Sequence, residues 1–365
     1  MASNTLMNDS WENDSVPAFT GLDLLFDYKP LFIPLYALLV IVACVGNFLL
    51  IVLIVITKKL HSTTNFLIGN LAAADLIMCI FCVPLTASYA FELRGWLFGV
   101  FMCRFVTQMQ AATVFVSVLS LTAIAVDRYI VVAYPIRQRI SFRSCVYIVA
   151  LIWVIAIGVS VPVALHTHYL DLNKIGHDMI ICEEFWNHKE TERLLFSCTM
   201  LFLSYMLPLS AVSISYCAIS RHLRKRNVPG ATPCIQERWI KKKQKTFRML
   251  VISVLAFAVC WLPLQMVNLI RDIDPDFIIL KKKYVNIIQV SCHLIAMSSA
   301  CYNPFIYASL HDKFRFYLCS YFYHKKKQSS MMSSRVSRFN TCSTLADIPL
   351  ALTDRLALQS KISLH

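Results

Sequence analysis

Seven long apolar stretches constrain this chain more than anything else in it: roughly residues 31–57, 65–91, 100–133, 142–165, 193–222, 245–270 and 284–308. Each exceeds the length of about 18 residues at which a helix can cross about 30 Å of hydrocarbon. The sequence therefore predicts an all-α membrane protein built as a seven-transmembrane helix bundle. Of 365 residues, 57% are apolar and only 15% charged, against about 25% charged in an ordinary soluble domain. Pro84, Pro162, Pro208, Pro263 and Pro304 fall inside the spans, where neighbouring helices can satisfy the carbonyls that proline frees. The predicted organisation is an outer segment at 1–30, the bundle at 31–308, a short amphipathic helix at 309–323 and a disordered tail at 324–365.

Charge sets the orientation. The formal net charge is +14, and nearly all the basic excess lies after the first, third and fifth spans and in the tail. Lys58 and Lys59 follow the first span and Arg137, Arg139 and Arg143 the third, while residues 221–248 hold ten Lys or Arg against one Glu. The leading segment is acidic (Asp9, Glu12, Asp14, Asp23, Asp27), as is the loop at 166–192. The positive-inside rule then puts the N-terminus outside and the C-terminus in the cytosol. Lys281–Lys283 is the one local exception. This distribution favours the inner membrane surface as the partner of the basic loops and argues against nucleic acid. Sequons at Asn8 and Asn13 fall in the predicted outer segment, in keeping with glycosylation there. A basic start followed by an apolar core, the mark of a cleavable leader, is not seen in residues 1–30.

Most of the 14 cysteines lie within spans, where they serve as small apolar residues. Cys79 and Cys82 form a C-x-x-C at membrane depth with no partner set for a metal or redox centre. Cys103 and Cys182 both fall on the predicted outer, oxidising side, and a disulfide between them is expected. The ten histidines show no ligand spacing, so no metal site is expected. No H-E-x-x-H, G-x-S-x-G or phosphate-cradling glycine loop is present, so the sequence reads as a non-enzyme. A secondary transporter is the alternative class, although such folds commonly repeat internally and an odd count of spans fits that poorly.

Polar residues inside spans are costly and usually functional. They occur here in order: Gly46-Asn47, NLAAADL with Asp75, Asp127-Arg128-Tyr129, Trp153, Pro208 with Tyr216, FAVCWLP (Phe257, Trp261, Pro263) and NPFIY (Asn303, Pro304, Tyr307). This series resembles the rhodopsin-like class A of G-protein-coupled receptors over roughly 31–322. The stretches TNFLIGNLAAADLIMC, AFELRGWLFG, CEEFW, RDIDP and MSSACYNPFIYA further resemble the neuropeptide Y and RFamide-receptor group. The resemblance implies a plasma-membrane receptor coupled to a heterotrimeric G protein, with arrestin and receptor kinases acting on the Ser-rich tail.

It also implies roles. Arg128 is held by Asp127 in the closed state and released toward Tyr216 and Tyr307 on activation, a two-state element at the inner boundary. Many members place an acid on the sixth span to lock this Arg; Lys243 stands there instead, which predicts signalling without ligand. Ser117, Ser299, Asn303 and Asn47 are expected around Asp75, holding a sodium ion or ordered water, or forming a hydrogen-bonded cluster with no ion. Beyond NPFIY, HDKFRFYLCSYFY at 311–323 reads as an amphipathic helix on the inner interface. Its Cys319 is expected to be palmitoylated or to remain a free thiol.

The ligand is constrained by exclusion. Aminergic members carry an Asp seven residues after the outer Cys, where this chain has Gln110, a neutral amide able to donate to and accept from a peptide carboxamide. The seventh span has no Lys for a retinal Schiff base. Glu183, Glu184 and Asp272 give the mouth acidic character that disfavours lipid ligands. In the resembling receptors the acid at Asp272 captures a ligand Arg, a planar charge-assisted pair. Phe185, Trp186, Tyr89 and Phe196 are expected to stack on an aromatic terminal residue. Phe196 stands where one of the resembling receptors carries Tyr, so that hydrogen bond is lost here. Asn268, Gln289, Gln265 and His293 complete the expected polar wall. The implied ligand is an amidated peptide of the prolactin-releasing peptide type, ending in Arg-Phe-amide. A neuropeptide Y-type Arg-Tyr-amide is the rival.

Overall fold

The structure, a computed structural model, describes residues 22–134, 141–176, 178–186, 190–225, 233–274 and 278–310. Asn8, Asn13, Arg137, Arg139, Cys319 and the expected amphipathic helix beyond Leu310 lie outside the described residues. So does the second compact unit, Phe316–His365. Seven helical segments are long and apolar enough to cross a membrane: Lys29–Ile56, Thr63–Ala90, Gly99–Val131, Phe142–His166, Thr191–Arg221, Arg248–Ile273 and Val285–Ser309. Each lies within a few residues of its expected span, and the chain is a multi-pass membrane protein. In the second and third spans 61% of the most apolar window is buried inside the protein, against 17% in the fourth. The former therefore form the bundle's interior, while the fourth shows its apolar surface to lipid.

Short α1 (Leu22–Asp27) packs Leu25 against the bundle, and α2 (Lys29–Ile56) follows with Pro in its first turn, where no helical N–H is needed. The second span starts as α3 (Thr63–Ile77), capped by the Ser62 side chain accepting from Asn65 N at 3.3 Å. It passes through a π turn at Met78–Cys82 into α4 (Val83–Ala90). That wide turn lets the backbone absorb Pro84, which has no N–H to give. Helix α5 (Gly99–Ala133) is the central rod, packed on α3, on α6 (Phe142–His166) and on α7 (Glu190–Lys225). Helix α8 (Pro233–Ile273) packs on α7 and on the seventh span. The last span is broken at Ser298 into α9 (Val285–Met297) and α10 (Ser299–Leu310).

A hairpin, β1 (Thr167–Asp171) and β2 (Ile180–Glu184), closes one end with Tyr169 opposite Cys182. It is fixed twice. The Cys103–Cys182 disulfide ties it to α5. Trp96 N donates to Ile180 O and Ile180 N to Arg94 O, both at 2.9 Å. Gly95, at φ +74°, makes this second tie possible, because a Cβ there would lie on the Ile180 carbonyl oxygen.

The seventh span's kink shows why the first span carries Gly46-Asn47. Pro304 frees the Ala300 carbonyl four residues earlier. Asn47 Nδ2 donates to that oxygen at 2.9 Å, and a Cβ on Gly46 would sit 2.9 Å from Pro304 Cγ. One residue gives the proline room and the next satisfies the carbonyl it abandons.

Candidate functional site

At the hairpin end the expected residues converge. Gln110 on α5 accepts from Thr86 Oγ1 of α4 at 3.4 Å through its carbonyl, and its amide nitrogen faces His293 Nε2 of α9 at 3.2 Å. His293 Nδ1 meets Tyr36 Oη of α2 at 2.9 Å, and Tyr36 donates its own proton to Val290 O at 3.1 Å. A hydroxyl has one proton. Tyr36 therefore accepts from His293 Nδ1–H, and His293 Nε2, left bare, accepts from Gln110. Four spans are joined by one directional chain that requires a neutral imidazole. Above it Tyr89 accepts from Cys182 N at 3.3 Å, and Gln289 Nε2 donates to Asn268 Oδ1 at 3.1 Å. Gln265 is part-buried on α8.

The acids of this end are already engaged. Asp272, its side chain 5% exposed, takes Arg193 Nε on Oδ1 at 2.7 Å and the Ser197 hydroxyl on Oδ2. Glu183 lies 3.9 Å from Arg271 Nη2. Glu184 accepts from Trp186 Nε1. Burial pushes the Glu184 carboxyl above its ordinary range, outweighing the Trp186 hydrogen bond and the nearby Arg193. Trp186 stacks on His166 with centroids 3.6 Å apart and meets Phe196 at 5.4 Å. Phe185 lies beside His168 instead, at 6.3 Å. Tyr36, Arg193, Ser197 and Thr86 carry no motif, yet each holds an expected ligand residue. Their signal in the sequence is only that they are polar within or beside spans.

Deeper in, Asp75 is buried and accepts from Asn303 Nδ2 at 2.8 Å. Ser117, Ser299 and Asn303 line a cavity with it, together with Trp261 and Phe257. Trp261 Nε1 donates to Ser299 Oγ at 3.0 Å and its ring packs 5.8 Å from Phe257. Asn47 does not line this cavity; its amide serves the Pro304 kink. Trp153 and Asn70 form a further link, Trp153 Nε1 donating to Asn70 Oδ1 at 2.9 Å. Pro263 and Pro208 sit within α8 and α7 as expected.

At the opposite end Arg128 Nη2 lies 3.6 Å from Asp127 Oδ2, the same oxygen that the Thr64 hydroxyl reaches. Asp127 is buried, and Tyr129 meets Tyr134 edge-on. Tyr307 is buried beside Ser253, while Tyr216 is half-exposed. The structure thus has the acid–base pair closed. Lys243 lies on α8, its side chain outside the described residues.

A seven-span bundle with a disulfide-tied hairpin at one end, a buried mid-span carboxylate and an acid–arginine pair at the other end is the architecture of one receptor class. The family described as 7 transmembrane receptor (rhodopsin family) matches residues 46–307. The chain belongs to this family, and it is a receptor rather than an enzyme. It is similar to the pig neuropeptide Y receptor type 2, 32% identical over 305 residues that span 83% of this chain and 78% of the relative. The human substance-P receptor is 30% identical over 77% of this chain and 68% of its own length. The Drosophila melanogaster RYamide receptor is 30% identical over 79% of this chain and 62% of its own length.

Proposed function

We propose that this protein is a plasma-membrane receptor, hairpin end outside, for an amidated peptide of the prolactin-releasing peptide type ending in Arg-Phe-amide. It passes agonist binding to a heterotrimeric G protein at the Arg128 end. The observation that carries the reading is a buried carboxylate, Asp272, in the same mouth as the neutral amide of Gln110 and the rings of Trp186 and Phe196. That set matches a guanidinium, a carboxamide and an aromatic ring on one ligand terminus. Relatives named for neuropeptide Y, substance P and RYamide support a peptide ligand.

In this reading a ligand drawing on Asp272 and Gln110 shifts α8 against α7. The Trp261–Ser299 contact and the Asp75 cavity carry the shift toward Arg128, which leaves Asp127 and opens a docking face for the G protein. The cavity has room for about one water, and its carboxylate and hydroxyl oxygens also suit a sodium ion. The basic residues between 221 and 248, carried largely on the ends of α7 and α8, would meet the inner leaflet and G protein. The tail serves receptor kinases and arrestin, Asn8 and Asn13 carry glycans, and Cys319 carries a palmitoyl anchor.

The test is Asp272→Ala at matched surface expression. Truncating one partner of a desolvated charge pair costs about 2–5 kcal/mol, so potency of an Arg-Phe-amide peptide should fall by about one and a half to three and a half decades. Unchanged potency would remove Asp272 from the site. A second reading, an Arg-Tyr-amide ligand, is favoured by the neuropeptide Y and RYamide relatives. Phe196, lacking a hydroxyl for a terminal Tyr, weighs against it. Dose–response to a panel of amidated peptides separates the two.

A further inference from the structure

Asp272 is the acid best placed to receive a cation, and both of its oxygens are taken from within the chain. Arg193 Nε holds Oδ1 at 2.7 Å and the Ser197 hydroxyl holds Oδ2. Arg193 and Ser197 are four residues apart on α7, so they project from one helix face and clamp the last turn of α8 together. Arg193 also acts electrostatically on Glu184 of the hairpin, so one guanidinium influences two carboxylates from different elements. Its side chain is one-third exposed while that of Asp272 is nearly sealed. The base is the exposed member of the pair and the acid the buried one. An incoming guanidinium cannot chelate the carboxylate in this arrangement, because Arg193 and Ser197 each hold one oxygen and the side chain is only 5% exposed.

We propose that Arg193 is a built-in competitor for Asp272, so that a cationic ligand group reaches the carboxylate only by displacing it. Arg193 thereby sets both the affinity and the cation selectivity of the receptor. This rests on the reading that the ligand brings a guanidinium to Asp272. Its quantitative form is a population argument: if the carboxylate is uncovered about a tenth of the time, the apparent affinity is lowered about tenfold.

The experiment measures binding of an Arg-Phe-amide peptide and its citrulline analogue, a neutral isostere, to the full-length receptor in membranes. Arg193→Gln should raise affinity for the Arg peptide about tenfold and leave the citrulline peptide unchanged. The gain should vanish in an Asp272→Asn background. Arg193→Lys, which keeps the charge but not the fork, should give a smaller gain, and it serves if the Gln variant does not reach the surface. An Arg-to-citrulline affinity ratio that stays level or falls in these variants overturns the competition. Should neither peptide bind the wild type, the ligand reading fails, and the latch is judged without ligand. Thermal unfolding of the solubilised receptor should then show Arg193→Gln and Asp272→Asn losing less together than the sum of their separate losses. Additive losses overturn the latch as well.

Discussion

Glu184 shows how a single side chain reports its surroundings. It sits against the Trp186 ring, near Arg193, Asp272 and His166, and burial raises its proton affinity above the ordinary 4.5. A carboxyl whose folded value is raised adds stability below the unfolded value, and that contribution is lost as pH rises through the folded one. Glu184→Gln, which keeps the oxygen that Trp186 binds, should therefore gain on the wild type in thermal unfolding as pH rises from about 4.5 toward neutrality; parallel pH curves would refute this. At this scale the sequence is partly legible. Gln110, His293 and Asp272 stand out because polar groups in apolar spans have few other uses. Their partners do not stand out: Tyr36 looks like an ordinary span aromatic and Arg193 like a helix-end charge. Which face of a helix points inward is settled by packing, and sequence spacing alone leaves it open.

The helices themselves are read almost in full, because each must supply an unbroken apolar length whatever it packs against. Their irregularities are not. The π turn at Met78–Cys82 and the break at Ser298 depend on how a neighbour accommodates the chain. The contact of Gly46 and Asn47 with the seventh span is the clearest case. Gly46→Ala presses a methyl into the Pro304 ring, and overpacking costs about 1–3 kcal/mol. Asn47→Ala orphans the Ala300 carbonyl, also about 1–3 kcal/mol. Both variants should unfold at lower temperature in detergent. Because they act on one kink, the double variant should lose less than the sum. Wild-type melting in either single variant would show that the kink stands without them.

For the molecule as a whole, the ordered motifs in the sequence identify the receptor class, and the structure gives the switch in its closed form. Asp127 is braced by Thr64 on the oxygen that faces Arg128, a support the motif does not reveal. Residue 243 of α8 is a lysine rather than an acid and cannot pair with Arg128, so the closed state is expected to be held more weakly. Cells expressing the receptor without agonist should give second-messenger output above mock-transfected cells, and Lys243→Glu should bring it down. Output at the mock level would place the lock elsewhere.

The hairpin, finally, is a lintel with two fastenings of unlike chemistry, one covalent at Cys182 and one through the backbone at Ile180. A reductant that cuts the first leaves the second standing, so the doorway keeps its width on that side. A peptide that docks at this end, as proposed above, would meet a rim held at both points. On that reading the helix ends and their side chains, rather than the hairpin, would do the yielding.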